Sequence, residues 1–294
     1  MNKRNAVNLG LLVFIAIAAI TLWLETNKQP EMIQAITSLT QNDIQSIIIK
    51  RADKRSIHLK KQHGQWRLTR PYNTATNQFR MDTLLRLVET IPQSSYPLKN
   101  LHKYGLKAPN LEIIFNQNSA TETTIKFGDS DPIKLRRYIA VTDKLYLTND
   151  TYFYALNSVA TDYIDLKLLP KDFQVSQLHL PQLKLEVKDD KWTVSPQPEN
   201  FSMDSVNELI SEWQTIQAID IKPFKSKTAF NSKQTIKIVG KDASTYTFNI
   251  LKKEDALILI DRLKGLQYHF PTDKKETLLS FPIPAQSEQS IFEK

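Results

Sequence analysis

The 294-residue chain carries 24% charged and 41% hydrophobic residues, proportions typical of a globular protein rather than a disordered one. It has no cysteine, which excludes disulfides, thiolate nucleophiles, cysteine-ligated zinc, iron–sulfur clusters and a lipidated N-terminal cysteine. Its net charge is +8, and 37 basic residues (39 − 2) face 31 acidic ones once Lys3 and Arg4 are set aside. This mild excess is typical of a solvated lysine-rich surface, and we predict neither a nucleic-acid partner nor a cofactor.

An apolar run without charged residues lies near the start of the chain, at residues 6–24. Nineteen helical residues span about 28 Å, close to the hydrocarbon thickness of a bilayer. The preceding Lys3 and Arg4 favour a cytoplasmic N-terminus and place the rest of the chain outside. The alternative, a cleaved signal peptide, has a shorter apolar core and a small-residue cleavage site. We predict a cytoplasmic tip (1–5), a transmembrane anchor (6–24) and a polar connector (25–40).

The body begins with strand patterns. Residues 44–49 are rich in isoleucine, residues 56–60 and 65–68 alternate between apolar and polar, and His63-Gly64 marks the turn between the latter two. A polar loop follows, and then an amphipathic helix from Phe79 that ends before the proline at position 92.

This order of elements recurs further along the chain. Trp192 follows Trp66 at an offset of 126, and Met203-Asp204 opens a helix 122 residues after Met81-Asp82. Alternating segments follow each helix as an antiparallel meander. We predict an α+β fold of two tandem repeated modules of antiparallel sheet plus helix, at residues 41–170 and 171–281, with a flexible tail at 282–294.

Residues able to carry chemistry are few and scattered. His58 and His63 flank a turn, and a surface pair is the favoured interpretation over a metal site. Asp129 and Asp131 lie in Gly-Asp-Ser-Asp-Pro, which predicts a turn rather than a calcium loop. Catalytic-serine, phosphate-loop and dinucleotide motifs do not occur. Two basic-aromatic clusters provide a candidate interaction surface, formed by Arg67 and Arg70 near Trp66 and by Arg136 and Arg137 beside Tyr138.

Several short segments resemble the DUF4340 family of bacterial proteins. The most specific is Lys103-Tyr104-Gly105-Leu106 with Pro109, and the others include Gly64-Gln65-Trp66-Arg67-Leu68, Phe79-Arg80-Met81-Asp82, Phe127-Gly128, Arg137-Tyr138 and Tyr146-Leu147. The resemblance implies one N-terminal membrane helix and an extracytoplasmic body, in a single-pass protein of the bacterial inner membrane. It also implies a relation to auxiliary components of gliding-type ABC transporters. It supplies no catalytic residues.

Together these observations predict a non-enzymatic accessory or scaffold subunit of an envelope complex such as an ABC transporter. One alternative is an envelope module that binds an anionic polymer or lipid through the four arginines. A second alternative is an envelope hydrolase that uses Asp or Glu side chains.

Overall fold

The computed structural model describes residues 3–26, 34–132, 135–197, 201–225, 234–253 and 256–281, and for residues 3–9, 24–26, 252 and 253 it describes the backbone only. The helices are α1 (Lys3–Thr26), α2 (Gln78–Arg86), α3 (Thr151–Leu156), α4 (Met203–Thr215) and α5 (Lys274–Leu279). Short 3₁₀ turns lie at Gln41–Asp43, Leu87–Glu89, Leu101–Tyr104 and Ala160–Tyr163. The predicted tail at 282–294 lies outside the described residues.

The first sheet is assembled from the N-terminal half of the body. Its nine described strands are β1 (Ser46–Arg51), β2 (Lys54–Gln62), β3 (Gln65–Arg70), β4 (Thr74–Ala75), β5 (Ser94–Pro97), β6 (Leu111–Phe115), β7 (Thr123–Ser130), β8 (Arg136–Val141) and β9 (Lys144–Asn149). They are hydrogen-bonded in the order β4-β3-β2-β1-β6-β7-β8-β9-β5.

The second sheet follows from residue 175 onward. Its eight described strands are β10 (Val175–His179), β11 (Lys184–Lys188), β12 (Lys191–Ser195), β13 (Asp220–Pro223), β14 (Thr235–Gly240), β15 (Thr245–Lys253), β16 (Ala256–Asp261) and β17 (Leu266–Phe270). Their order is β12-β11-β10-β14-β15-β16-β17-β13, the same succession as in the first sheet without β4.

Every strand pair in both sheets is antiparallel, so the predicted α+β class with antiparallel sheets is confirmed. The helices predicted within the two modules are α2 and α4. Each begins at a side-chain cap, because Asn77 Oδ1 accepts from Arg80 N at 3.2 Å and Ser202 Oγ accepts from Ser205 N at 3.1 Å. Capping satisfies free backbone donors and fixes where each helix starts.

One continuous core runs through both sheets and is filled by the buried faces of most strands together with the apolar stripes of α2 and α4. Helix α4 buries Trp213 completely, and the indole Nε1 donates to the carbonyl of Leu278 at 3.0 Å. The core also includes Ile36 (2% exposed) and Leu39 (7% exposed). The last residues of the predicted connector therefore pack against the first sheet.

Helix α1 contains the predicted anchor, and the large apolar side chains described in it, within residues 10–23, are exposed. Leu12 is 66% exposed, Phe14 71% and Trp23 64%. In α1 the structure describes the side chains of residues 10–23. Among the residues with described side chains, no helix is long and apolar enough to cross a membrane.

Candidate functional site

Arg137, one of the four predicted surface arginines, is buried. It lies on β8 with only 7% of its surface exposed, and its guanidinium donates to both carboxylate oxygens of Asp150 and to the carbonyl of Gly128. The same guanidinium lies over the ring of Phe153, with Cζ 3.7 Å from the ring centroid. The prediction of a surface role for Arg137 is corrected, because its donors are engaged inside the fold.

Arg136, the neighbouring residue, pairs locally with Asp131. Its Nε donates to Asp131 Oδ2 at 2.8 Å, while the backbone N of Asp131 donates to the carbonyl of Arg136 at 2.7 Å. The Asp131 carboxylate is 95% buried, so this pair is part of the β7–β8 connection. The predicted turn at Gly-Asp-Ser-Asp-Pro begins later than expected, because residues 128–130 still belong to β7, where the register with β8 shifts as a bulge.

The segments that carry the family resemblance meet at this bulge. Gly105 has a left-handed φ of 68°, and a Cβ on it would lie 2.5 Å from Asp129 Cγ. A Cβ on Gly128 would collide with the carbonyl oxygen of Tyr104. The rings of Tyr104 and Tyr138 are 4.7 Å apart, above a small apolar cluster of Leu106, Ala140 and Leu145. These glycines permit close backbone approach, and the cluster serves packing.

The histidines do not form a metal site in the part of the chain that the structure describes, where no group of three or more His, Asp or Glu side chains could hold an ion. His58 lies within β2 opposite Arg70, and His63 lies in the turn at the end of that strand. The two positions are five residue steps apart along the strand, which corresponds to about 16 Å. Burial, with a smaller contribution from the charge of Arg70, lowers the pKa of His58 below its ordinary value.

Arg67 and Arg70 both lie on β3, near one edge of the first sheet. Arg70 is exposed, and Arg67 is half-buried and donates to Asn73 Oδ1 at 3.3 Å. Five strand spacings separate β3 from β8 in the sheet order, which corresponds to about 24 Å. The structure therefore does not bring the two arginine clusters together.

Arg67 instead lies at a groove between the two sheets, which we call the inter-sheet groove. Its volume is about 930 Å³. The first-sheet wall contains Lys61, Gly64, Gln65, Trp66, Arg67, Thr74, Ala75, Thr76, Gln78 and Leu85; the floor is the connecting segment Asp165, Lys167, Leu168, Leu169, Pro170, Lys171, Asp172 and Phe173; the second-sheet wall contains Asp242, Ser244, Tyr246, Lys264 and Tyr268.

Charged residues on both walls of the groove shift the pKa of Tyr246. Burial raises the pKa of Tyr246, the charge of Asp242 raises it further, and the charge of Arg67 on the opposite wall lowers it. Lys264 Nζ lies 5.6 Å from the centroid of the Tyr246 ring and 3.0 Å from Asp261 Oδ2. The groove is therefore a basic-aromatic site that combines residues from both sheets.

A second groove of about 980 Å³ lies at the opposite edge of the first sheet. It is lined by residues 34–38, the edge strand β5 and the β8–β9 turn, and among its lining residues only Asp143 and Lys144 carry charge. Its position beside residue 34 puts it next to the point where the described body begins. Its lining is mostly hydroxyl and amide groups, which offers less specific chemistry than the inter-sheet groove.

These features define a two-sheet antiparallel α+β protein whose most distinctive surface is a groove between the sheets. The family model "Domain of unknown function (DUF4340)" matches residues 66–235, which is more than half of the chain and extends from β3 to the start of β14. The chain belongs to this family. Searches of curated proteins and of solved structures returned no match.

Proposed function

We propose that this protein is a membrane-anchored, extracytoplasmic accessory or scaffold subunit of an envelope complex, such as an ABC transporter, without enzymatic activity of its own. The observation that carries the proposal is the exposure of large apolar side chains around α1, including Leu12, Phe14 and Trp23. Soluble proteins rarely expose so continuous an apolar surface, which favours a lipid or protein environment for this helix. The charge-free run at residues 6–24 and the basic Lys3 and Arg4 before it support a cytoplasmic N-terminus.

The packing of Ile36 supports a short tether. Its backbone N donates to the carbonyl of Thr90 at 3.0 Å, and the hydroxyl of Thr37 donates to the carbonyl of Val88 at 2.8 Å. Leu24 and Ile36 are twelve residue steps apart, so the chain between them reaches at most about 40 Å. A body fixed this closely to the membrane surface is suited to contact a membrane-embedded partner.

The matching strand order of the two sheets supports our proposal that the body is a tandem repeat of one module. Each sheet ends on one side in a four-residue strand whose last residue is a proline, β5 at Pro97 and β13 at Pro223. Short strands that end in proline discourage pairing with other chains. Among the described strands β12 forms the other edge of the second sheet, and such an edge can accept a strand from a partner.

Cysteine labelling tests the anchor and its direction, since the chain has no cysteine of its own. Thr193→Cys, at an exposed position of β12, should react with a membrane-impermeant maleimide when the outer envelope layer is opened, and Asn2→Cys should react only after the inner membrane is lysed. The protein should also stay in the membrane pellet after carbonate extraction. Reaction of both sites under the same conditions, or release by carbonate, contradicts the anchor.

The accessory role has its own test. Thr193→Cys carrying a photo-crosslinker should form a discrete product with an integral membrane protein, and the same label on Lys275→Cys, at an exposed site in α5, serves as the position control. Purification in mild detergent that recovers the protein alone, with no crosslinked product at either site, contradicts a scaffold role.

Binding of an anionic envelope polymer or lipid is the second candidate function, and the observation that favours it is the basic-aromatic lining of the inter-sheet groove. Arg67 and Lys264 face this groove from different sheets. Arg67→Gln together with Lys264→Gln should weaken the binding of an anionic ligand while leaving membrane association intact. Unchanged binding of every anionic ligand tested contradicts this function.

A further inference from the structure

We infer that the inter-sheet groove binds a segment of an acidic polysaccharide, with its acid groups held between Arg67 and Lys264 and its sugar rings against Trp66 and Tyr246. The inference rests on the second candidate function above and names its ligand class. It assigns the site to both sheets together, since neither wall alone holds both cations.

The charge of the groove favours an anion. Its lining contains five basic residues and three acidic ones, the basic set being Lys61, Arg67, Lys167, Lys171 and Lys264. Lys264 also pairs with Asp261 at 3.0 Å, and its ammonium, which has three donors, can bind a second anion beside it. The guanidinium of Arg67 makes one long hydrogen bond to Asn73, at 3.3 Å, and an arginine has five donors. Arg67 therefore retains donors for a carboxylate or sulfate on a ligand.

The aromatic residues of the groove favour a ligand with flat apolar faces. Tyr246 is held in place by Phe173, whose ring meets it edge-on at 5.1 Å. Trp66 packs against the core while still lining the groove. Two rigid rings on opposite walls provide apolar contact area at little cost in conformational entropy. Sugar rings have such faces, whereas simple polyanions such as polyphosphate do not.

The acidic residues in the groove distinguish a glycan from other polyanions. Asp165, Asp172 and Asp242 would repel a polymer with dense negative charge, but carboxylates accept hydrogen bonds from sugar hydroxyls. An extended peptide is less suited, because the edge of β4 is already paired. The carbonyl of Ala75 accepts from Asp165 N at 3.1 Å, and Asn77 N donates to the carbonyl of Tyr163 at 2.9 Å.

The test is isothermal titration calorimetry of the full-length protein in mild detergent with oligogalacturonate, whose sugars each carry a carboxylate. The matched ligands are its methyl ester, which has the same sugars without charge, and polyglutamate, which has the charge without sugars. We expect measurable affinity for oligogalacturonate that falls with added salt, and affinity weaker by about ten-fold or more for each matched ligand.

The variants separate the groove from general surface charge. Arg67→Gln with Lys264→Gln should raise the Kd for oligogalacturonate by about ten-fold, and Tyr246→Leu should raise it while thermal unfolding confirms that the variant is folded. Arg70→Gln with Lys237→Gln is the matched control, because it removes the same charge from exposed sites on the same two sheets that do not line the groove. This control should change the Kd by less than about two-fold.

Several outcomes overturn the inference. Equal affinity for polyglutamate and oligogalacturonate, or equal weakening by the groove and control variants, contradicts a sugar site. If the wild-type protein does not bind oligogalacturonate but binds phosphatidylglycerol vesicles through Arg67, the polysaccharide is rejected as the ligand and an anionic-ligand function is retained. Wild-type protein that binds neither rejects both, and the membrane anchor is then still judged by the labelling experiment.

Discussion

Replacing Arg137 with methionine provides the sharpest test of how the first sheet is held together. The side chains of Arg137 and Asp150 are 8% and 5% exposed, so both charges are removed from water. Arg137→Met keeps most of the apolar volume but leaves the Asp150 carboxylate and the carbonyl of Gly128 without their charged donor. Breaking one side of a buried ion pair costs about 3–5 kcal/mol, and we expect a loss of that size here.

Urea unfolding followed by circular dichroism measures this loss as a shift of the midpoint at constant slope. Asp150→Leu in the Arg137→Met background should recover a large part of the stability, because no uncompensated charge then remains in the core. Lys50→Met is the control, since Lys50 and Glu112 form a pair 3.7 Å apart with side chains 48% and 24% exposed. That exposed pair should contribute about 0–1 kcal/mol. A loss of stability in Arg137→Met no larger than that in Lys50→Met contradicts the expected penalty for an unpaired buried charge.

Two further predictions concern backbone strain and pH. Gly105→Ala and Gly64→Ala both place a Cβ at positive φ, but only Gly105 also faces the Asp129 carboxyl. Gly105→Ala should therefore destabilise the protein in urea unfolding by about 1 kcal/mol more than Gly64→Ala. Equal losses of stability contradict a contact between the added Cβ and Asp129. Burial, helped by the charges of Lys184 and Lys237, lowers the pKa of His179, so the unfolded chain binds more protons around and below pH 6.5, and stability falls as the pH drops through this range. His179→Gln should weaken the pH dependence of the unfolding free energy between about pH 5 and about pH 8. An unchanged pH dependence in this variant contradicts the role of His179.

Most of the strands and the helices α2 and α4 could be predicted from local patterns because those patterns have local causes. Alternation fixes which face of a strand is buried, and side-chain caps fix where α2 and α4 start. The burial of Arg137 could also have been predicted from the alternation of residues in β8. It has the same parity in β8 as the core residues Ile139 and Val141, so an arginine there requires an acidic partner, which is Asp150. Its neighbour Tyr138 suggested a surface cluster instead, and that interpretation was wrong.

Other features have no local cause and could not be predicted in this way. Arg67 and Tyr246 are 179 residues apart, and only the packing of the two sheets makes them face one groove. The polar composition of residues 25–40 indicated a free connector, yet Ile36 and Leu39 are buried. Three apolar residues at irregular spacing, with Ile44 as the third, match neither a helix nor a strand period, so they gave no signal of burial.

The residues matched by the family model cover only part of the proposed ligand site. Gly105, Gly128 and Arg137 lie together at the β7 bulge. The backbone at Tyr104 and Gly105 packs closely against the bulge, and the guanidinium of the buried Arg137 donates to the carbonyl of Gly128. The second-sheet wall of the groove, with Tyr246 and Lys264, lies beyond the matched residues 66–235. The matched segment therefore contains Trp66 and Arg67 of the proposed ligand site but not Tyr246 and Lys264. Assays of function should begin with the groove variants.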